Sequence, residues 1–334
     1  MNPRPLAIAA AALILAAMPA AWANDSSAEK AAGGLVLRQT QEIDMVSENL
    51  FVSPAQIRVH YVFRNRSARP VTTIVAFPMP DRDLNYEMES EVAYPADFHT
   101  FVDGRPVRMA VERKAMVGGV DRSADLIRLH VPVAPPAGER AGAIADIISH
   151  LPRAAQQQLA RAGLIDRDSL AAPDGQIVPM WTVRETWYWT QTFPAGRNLD
   201  VRHNYTPGVG GTAGVPLASI DYRNSADGRR AQAEFCTDRD FLASLDRLQQ
   251  RAERQQGNYP MEQRLRYILT TGGNWRAPIG DFRLVVDKGR ADAIISFCGQ
   301  GVRRISPTQF EVRHSNWRPD RDLAILIVSA EPRE

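Results

Sequence analysis

Residues 57–64 alternate without a break: Ile57, Val59, Tyr61 and Phe63 fall on one side of an extended chain, Arg58, His60, Val62 and Arg64 on the other. Period two with one apolar face predicts a half-buried β-strand. A polar connection, Asn65 to Arg69, leads into Val71–Phe77, which is apolar on both faces and so belongs nearer the centre of a sheet. Pro78 and Pro80 cannot donate ladder hydrogen bonds and end the strand. On these faces Tyr61 and Phe63 point inward, while Arg58 and His60 are solvated.

The same grammar recurs. Leu35–Arg38 and Ile43–Val46 precede the pair, and Asp103-Gly104 signals a tight hairpin turn. WTVRETWYWTQTF, NLDVRHNY and the runs Phe282–Val286, Ala293–Phe297, Gln309–Val312 and Leu323–Val328 add further strands. Helical signals interrupt them twice. Ala141–Leu151 is followed by a run opening at Pro152 and ending near Gly163, with proline at the start and glycine past the end. A second pair is expected over 238–271: one helix capped at Thr237 and ending at Gly257, then another opening at Pro260. The predicted fold is mainly β, with antiparallel β-sandwich-like modules and two helical insertions, α+β by content. Its segments are 24–113 (N-terminal sandwich), 114–175 (Pro-rich linker and helical insertion) and 176–334 (second β-rich module).

Residues 1–23 read as a secretory signal peptide. Arg4 precedes the apolar run LAIAAAALILAAMPA, and Ala21-Trp22-Ala23 is an A-x-A cleavage pattern, so cleavage is expected before Asn24. The apolar core is shorter than the ~20 residues needed to span a bilayer. The expectation is a periplasmic or secreted protein that does not span the membrane. In such a compartment the two cysteines, Cys236 and Cys298, predict a disulfide.

The chain carries 40 Lys and Arg residues against 38 Asp and Glu. That balance argues against nucleic acid or anionic lipid as a partner. Only Lys30, Lys114 and Lys288 are lysines, and the arginines are scattered among acids, which reads as a solvated mixed-charge surface.

Motifs that carry chemistry are scarce. There is no G-x-S-x-G elbow and no H-E-x-x-H zinc helix. The six histidines lack ligand spacing, and acid pairs such as Asp81/Asp83 and Asp320/Asp322 supply too few oxygens for calcium. PGVGGTAG, residues 207–214, breaks dinucleotide-binding spacing at Ala213 and reads as a loop between strands. No cofactor or metal is predicted. The remaining candidates are aromatic: Trp187 and Trp189, with Glu185 on the same face, form either the filling of a sandwich core or a platform that stacks on sugar rings or a partner chain.

Several long stretches resemble the domain-of-unknown-function family 4424. They are NDSSAEKAAGGLVL at 24–37, RNRSARPVTTIVAFPMPD at 64–81, RETWYWTQTFPAG at 184–196, YILTTGGNW at 267–275 and GDFRLVVDKG at 280–289. The resemblance implies an exported bacterial protein and carries over no catalytic residues. Asn65, Ser67, Pro70 and Val71, followed by Phe77-Pro78, are also similar to the vault/inter-α-trypsin domain, which implies a β-sandwich for the first segment alone. The function these readings favour is non-enzymatic: an envelope protein that binds a partner protein or a glycan. The alternative is a hydrolase of envelope polymers that pairs Glu185 with a second acid.

Overall fold

Strand Ile57–Asn65 lies inside the largest sheet of the molecule, and its alternation is realised residue by residue. Ile57, Val59, Tyr61 and Phe63 are buried, Arg58 is exposed, and His60, Val62 and Arg64 are half-buried. The protein is described by a computed structural model over residues 24–31, 34–87, 96–135, 139, 141–170, 177–212, 214–254 and 258–332. The expected signal peptide and Gly257 lie outside these residues.

The large sheet has eight strands, in the order Arg303–Arg304, Gln309–Trp317, Ile279–Asp287, Ile43–Val52, Ile57–Asn65, Asn198–Thr206, Ala96–Val102 and Arg105–Val107. Its pairings are antiparallel except where Ile279–Asp287 runs parallel to Ile43–Val52. Two further sheets cover one of its faces. The seven-stranded one contains Thr182–Phe193, Val71–Pro78 and Ser26–Ala31, and the four-stranded one contains Asn258–Tyr267 and Leu323–Pro332. All three contribute to one apolar core: Tyr61, Phe63 and Val201 from the large sheet, Phe77, Trp189 and Phe193 from the second, Leu265, Tyr267 and Ile325 from the third. The protein is mainly β, as its periodicity predicts. The sheets draw on both sides of the sequence division at residues 113 and 176: Asn198–Thr206 lies between Ile57–Asn65 and Ala96–Val102, and Thr182–Phe193 pairs with Val71–Pro78.

Asn65 explains the polar connection after strand Ile57–Asn65. Its buried side chain donates to the carbonyls of Arg69 (2.8 Å) and Phe193 (2.9 Å), and its Oδ1 accepts from the Ser67 amide at 2.8 Å. An Asn that bonds the backbone two residues on closes the turn and satisfies its own buried amide. At the second hairpin, Asp103 and Gly104 both take positive φ, 48° and 76°, as a two-residue turn of this hand requires.

Helices Ala141–Ser149 and Arg153–Arg161 form where predicted, the second opening at Pro152. With Trp181 and Val183 they build a second core. Helix Arg239–Arg254 is capped by Asp238, whose Oδ1 accepts from the Phe241 amide at 2.7 Å, and not by Thr237. Its Phe241, Leu245 and Leu248 pack on Leu326 and Val328.

Three local expectations fail, two of them because the four-stranded sheet needs its edges filled. No helix opens at Pro260: Asn258–Tyr267 is a strand. Its neighbour Leu323–Pro332 is apolar on both faces, with Ile325 and Ile327 in the main core and Leu326 and Val328 under the helix. Such a strand needs ladder partners on both edges, and Asn258–Tyr267 and Ile294–Phe297 supply them. The segment PGVGGTAG is not simply a loop, because Gly210–Thr212 extends this sheet. A Cβ on Gly211 would lie 2.6 Å from the Glu262 carbonyl oxygen, so glycine is needed there for close approach. Conversely, Ile220–Asn224 and Ala226–Phe235, read as part of a β-rich run, are helices.

Cys236 ends helix Ala226–Phe235 with φ 51° and is bonded to Cys298, which follows strand Ile294–Phe297. The disulfide therefore ties the helical layer to the four-stranded sheet.

Candidate functional site

The odd-numbered residues of Thr182–Phe193 face inward, and they carry the aromatic candidates. Trp189 is 5% exposed, sets its ring edgewise against His203 at 5.6 Å, and donates its indole N–H to Gln191 at 3.0 Å. Trp187 is half-buried, stacks on Phe98 with an interplanar angle of 6°, and donates to Glu185 Oε1 at 2.7 Å. The other oxygen of Glu185 accepts from Arg113 Nε at 2.5 Å. The strand thus gathers Arg113, Glu185 and Trp187 into one internally satisfied unit, while Trp189 fills the core. One face of the Trp187 ring is covered by Phe98, and both Glu185 oxygens are occupied from within the protein.

Beneath this strand lies a polar cluster inside the main core. Asp25 faces His203, whose Nε2 sits 3.1 Å from both carboxylate oxygens, and His203 Nδ1 is 2.8 Å from the Thr100 hydroxyl. Beside them Asn24 Nδ2 donates to Glu48 Oε2 at 3.0 Å, and Tyr61 bonds both Asn24 Oδ1 (2.5 Å) and the Tyr267 hydroxyl (2.9 Å). Burial raises the Asp25 carboxyl above the usual range, with the neighbouring imidazole acting against it. Burial also pushes Glu48 up to about 8 and holds both tyrosine hydroxyls protonated well past their ordinary range. Asp25, His203 and Thr100 have the connectivity of an acid–base–nucleophile relay. The His203 and Asp25 side chains are 0% exposed, so no substrate reaches them; the relay is a buried network that pins the chain at Asn24-Asp25 to three strands of the core.

One signal in the sequence does point to His203. In NLDVRHNY it shares a face with Leu199, Val201 and Tyr205, so period two already puts it inward. Glu48 is different. A bulge between Met45 and Ser47 shifts register, so Ile43 and Met45 face inward before it and Glu48, Leu50 and Val52 after it. Gly280 makes room for that bulge, since a Cβ there would lie 2.5 Å from the Val46 carbonyl oxygen.

The opposite face of the eight-stranded sheet is turned to solvent. Register aligns one row across it: Phe101, Arg202, His60, Asn49, Arg283 and Arg313. A shallow cleft of about 400 Å³ opens there, lined by Asn49, Phe51, Arg58, His60, Arg202 and Arg283 among others. The acids on this face are shared. Asp200 meets both His60 and Arg202, and Glu311 accepts from Arg283 (2.8 Å), Arg303 (2.5 Å) and Arg313 (3.1 Å). Those three guanidiniums hold the Glu311 carboxyl down at about 2. Arg58 lies over the Phe51 ring at 4.5 Å. Around the cleft Arg58, Arg202, Arg283, Arg303 and Arg313 outnumber Asp200, Asp281 and Glu311, and the side chains of Arg202, Arg303 and Arg313 are more than half exposed; farther along the same face Arg64 stands opposite Asp44. The arginines that look scattered along the chain are here brought together by strand register.

A second cleft of about 620 Å³ lies beside the disulfide, where Asp81, Glu234, Asp320 and Asp322 gather. Asp81 is held bidentate by Arg184, Glu234 pairs with Arg266, and Asp322 accepts from the Leu269 and Thr270 amides and the Thr270 hydroxyl. Arg321 Nη1 rests 3.1 Å from Cys298 Sγ. Among the described residues no group of three or more His, Cys, Asp or Glu side chains is arranged to hold a metal ion, and no helix is long and apolar enough to cross a membrane.

Solved structures give distant likenesses. A Legionella pneumophila protein, provisionally described as a nutrient binding protein, aligns with 15% identity and a TM-score of 0.44, over 92% of this chain and 70% of its own. An M1 zinc metallopeptidase from Deinococcus radiodurans aligns with 9% identity and a TM-score of 0.26, over 87% of this chain and 43% of its own. Neither likeness carries an argument about what this chain binds or cleaves. None of the curated proteins matches it in sequence. The model of DUF4424, a domain of unknown function, matches residues 23–326, and the chain belongs to that family.

Proposed function

We propose that the protein is an exported binding module of the bacterial envelope, and that its ligand is an anionic polymer, one bearing carboxylate or phosphate groups, taken on the open face of the eight-stranded sheet. The observation that carries the reading is the row Arg202, His60, Asn49, Arg283 and Arg313, drawn from five strands and laid side by side. Repeated guanidiniums on a twisted sheet match repeated anions along an extended chain, and guanidinium forks bind such groups bidentately. Phe51, beneath Arg58, and Phe101, beside Arg202 at the end of the row, add apolar groups to this face. The A-x-A site before Asn24 supports export, and N-terminal sequencing of exported protein should begin at Asn24.

The hydrolase alternative needs two carboxyls facing a substrate cleft, one of them protonated at neutral pH. Asp25 and Glu48, whose carboxyls burial raises, are sealed in the core, and the acids of the larger cleft are mostly tied to arginines or backbone amides. Binding is therefore the better reading.

The test is titration of the purified protein with an oligogalacturonate as the anionic probe, at low and at physiological salt. The reading expects saturable binding that weakens with salt and falls about tenfold or more for Arg202→Ala with Arg283→Ala, since each charge-assisted bond is worth roughly 1.5–3 kcal/mol. Binding that is undiminished in the double variant, or no binding to this probe or to a polyphosphate, would sink it.

A further inference from the structure

The described chain begins at one of its most deeply buried polar points. Asn24 and Asp25, the first residues after Ala21-Trp22-Ala23, are both 0% exposed. The Asn24 side chain is held by Glu48, Tyr61 and the Leu269 carbonyl, and its own carbonyl accepts the Thr271 hydroxyl at 2.7 Å. Trp275 Nε1 donates to the Asp25 carbonyl at 2.8 Å. Packing is tight, since a Cβ on Gly272 would fall 2.9 Å from Asn24 Nδ2. One atom of this cluster is left over. Glu48 Oε1 is buried without a hydrogen-bond partner among the described residues. An unmet carboxylate oxygen in such surroundings is costly, and more so once ionised.

We propose that cleavage between Ala23 and Asn24 completes the cluster: the new α-ammonium of Asn24 becomes the buried counter-ion of Glu48, so that the N-terminus is locked into the core only in the processed chain. The inference rests on the export reading above. The nitrogen concerned is four covalent bonds from the Asn24 amide nitrogen that already touches Glu48 Oε2 at 3.0 Å. Hydrolysis adds one water across the Ala23–Asn24 peptide bond. Ala23 leaves as a carboxylate and Asn24 keeps the amine, which takes up a proton because an α-amino group has a pKa of about 8. Three N–H donors and a positive charge replace one neutral amide N–H. Before cleavage there is no such charge, and Glu48 stays protonated at neutral pH, its pKa raised to about 8 by burial.

Two chains released from a cleavable fusion partner test this directly, one beginning at Asn24 and one at Trp22. The chain beginning at Asn24 should melt several degrees higher at pH 7. Pairing needs Glu48 ionised as well as the amine protonated, so the advantage is lost in acid as Glu48 takes up a proton, holds at neutral pH, and fades again as pH rises above about 8 through the raised folded value of the amine. Its α-amine should resist acylation in the native protein and react after unfolding. In Glu48→Gln the gap between the two chains should shrink. Equal melting temperatures, an unchanged gap in Glu48→Gln, or native acylation as fast as that of a free peptide amine would overturn the proposal; the acylation readout needs no variant. Mass spectrometry of exported material keeps the export reading separate. A different mature N-terminus refutes cleavage at Ala23, while the two released chains still decide whether the pocket favours an ammonium.

Discussion

Replacing Trp189 with alanine separates a core tryptophan from a binding platform. Trp189 is nearly sealed, its ring lies against His203, and it stands opposite Val75 of the same core across the ladder. Removing it deletes most of a large buried side chain and leaves a cavity that rigid strands cannot close, a loss of about 3–5 kcal/mol. Trp187 is half-buried and mainly covered by Phe98. Its loss exposes less and leaves Glu185 still bonded to Arg113, so roughly 2 kcal/mol is expected. Urea denaturation measures the difference. With an m-value of about 3 kcal/mol/M for a chain of this size, Trp189→Ala should lower the midpoint by roughly 1–1.7 M and Trp187→Ala by about 0.7 M. Fluorescence gives an independent reading: Trp181, Trp275 and Trp189 are buried, so native emission should be blue-shifted and poorly quenched by acrylamide. If Trp189→Ala unfolds at the wild-type midpoint, or if native emission is red-shifted and freely quenched, the burial argument is wrong and the platform reading returns.

Three further outcomes follow from specific contacts. Reducing Cys236–Cys298, which closes a loop with a sequence separation of 62, should cost about 4 kcal/mol by chain entropy, read as a lower urea midpoint in the presence of a thiol reductant. Glu311, with a folded pKa of about 2 against an ordinary value of 4.5, contributes stability that is present above about 4.5 and lost as pH falls through about 2. Glu311→Gln should therefore melt below wild type at pH 7 and converge with it near pH 2, as followed by circular dichroism across an acid titration. Tyr61→Phe deprives Asn24 Oδ1 and the Tyr267 hydroxyl of a buried partner and should cost about 1–3 kcal/mol, whereas His60→Ala on the open face should stay near 1 kcal/mol or below.

Much of this protein is legible from its residues because alternation is a local property. A strand with one apolar face declares which side it buries, so Ile57–Phe63 on one side, and the inward row from Trp181 to Phe193, follow from period two alone. The proline at the head of helix Arg153–Arg161 and the Asp103-Gly104 turn are equally local, and the Cys236–Cys298 bond joins the two cysteines of the sequence. What the tertiary structure alone decides is anything that depends on which strands become neighbours. Pro260 reads as a helix start until Leu323–Pro332, apolar on both faces, demands a partner at its edge. Unbroken alternation from Ile43 and Met45 would put Glu48 on the outward side; the bulge at Val46 turns it inward, a one-residue insertion that no periodicity reveals. The basic row exists only because Arg202, Arg283 and Arg313, far apart in sequence, share a level in one sheet, and the polar cluster only because Asn24 and Asp25 are drawn in beside Glu48 and His203. Faces are set by neighbours along the chain; sites are set by neighbours across space, and hydrogen-bond register between distant strands is the physical link that sequence periodicity does not carry.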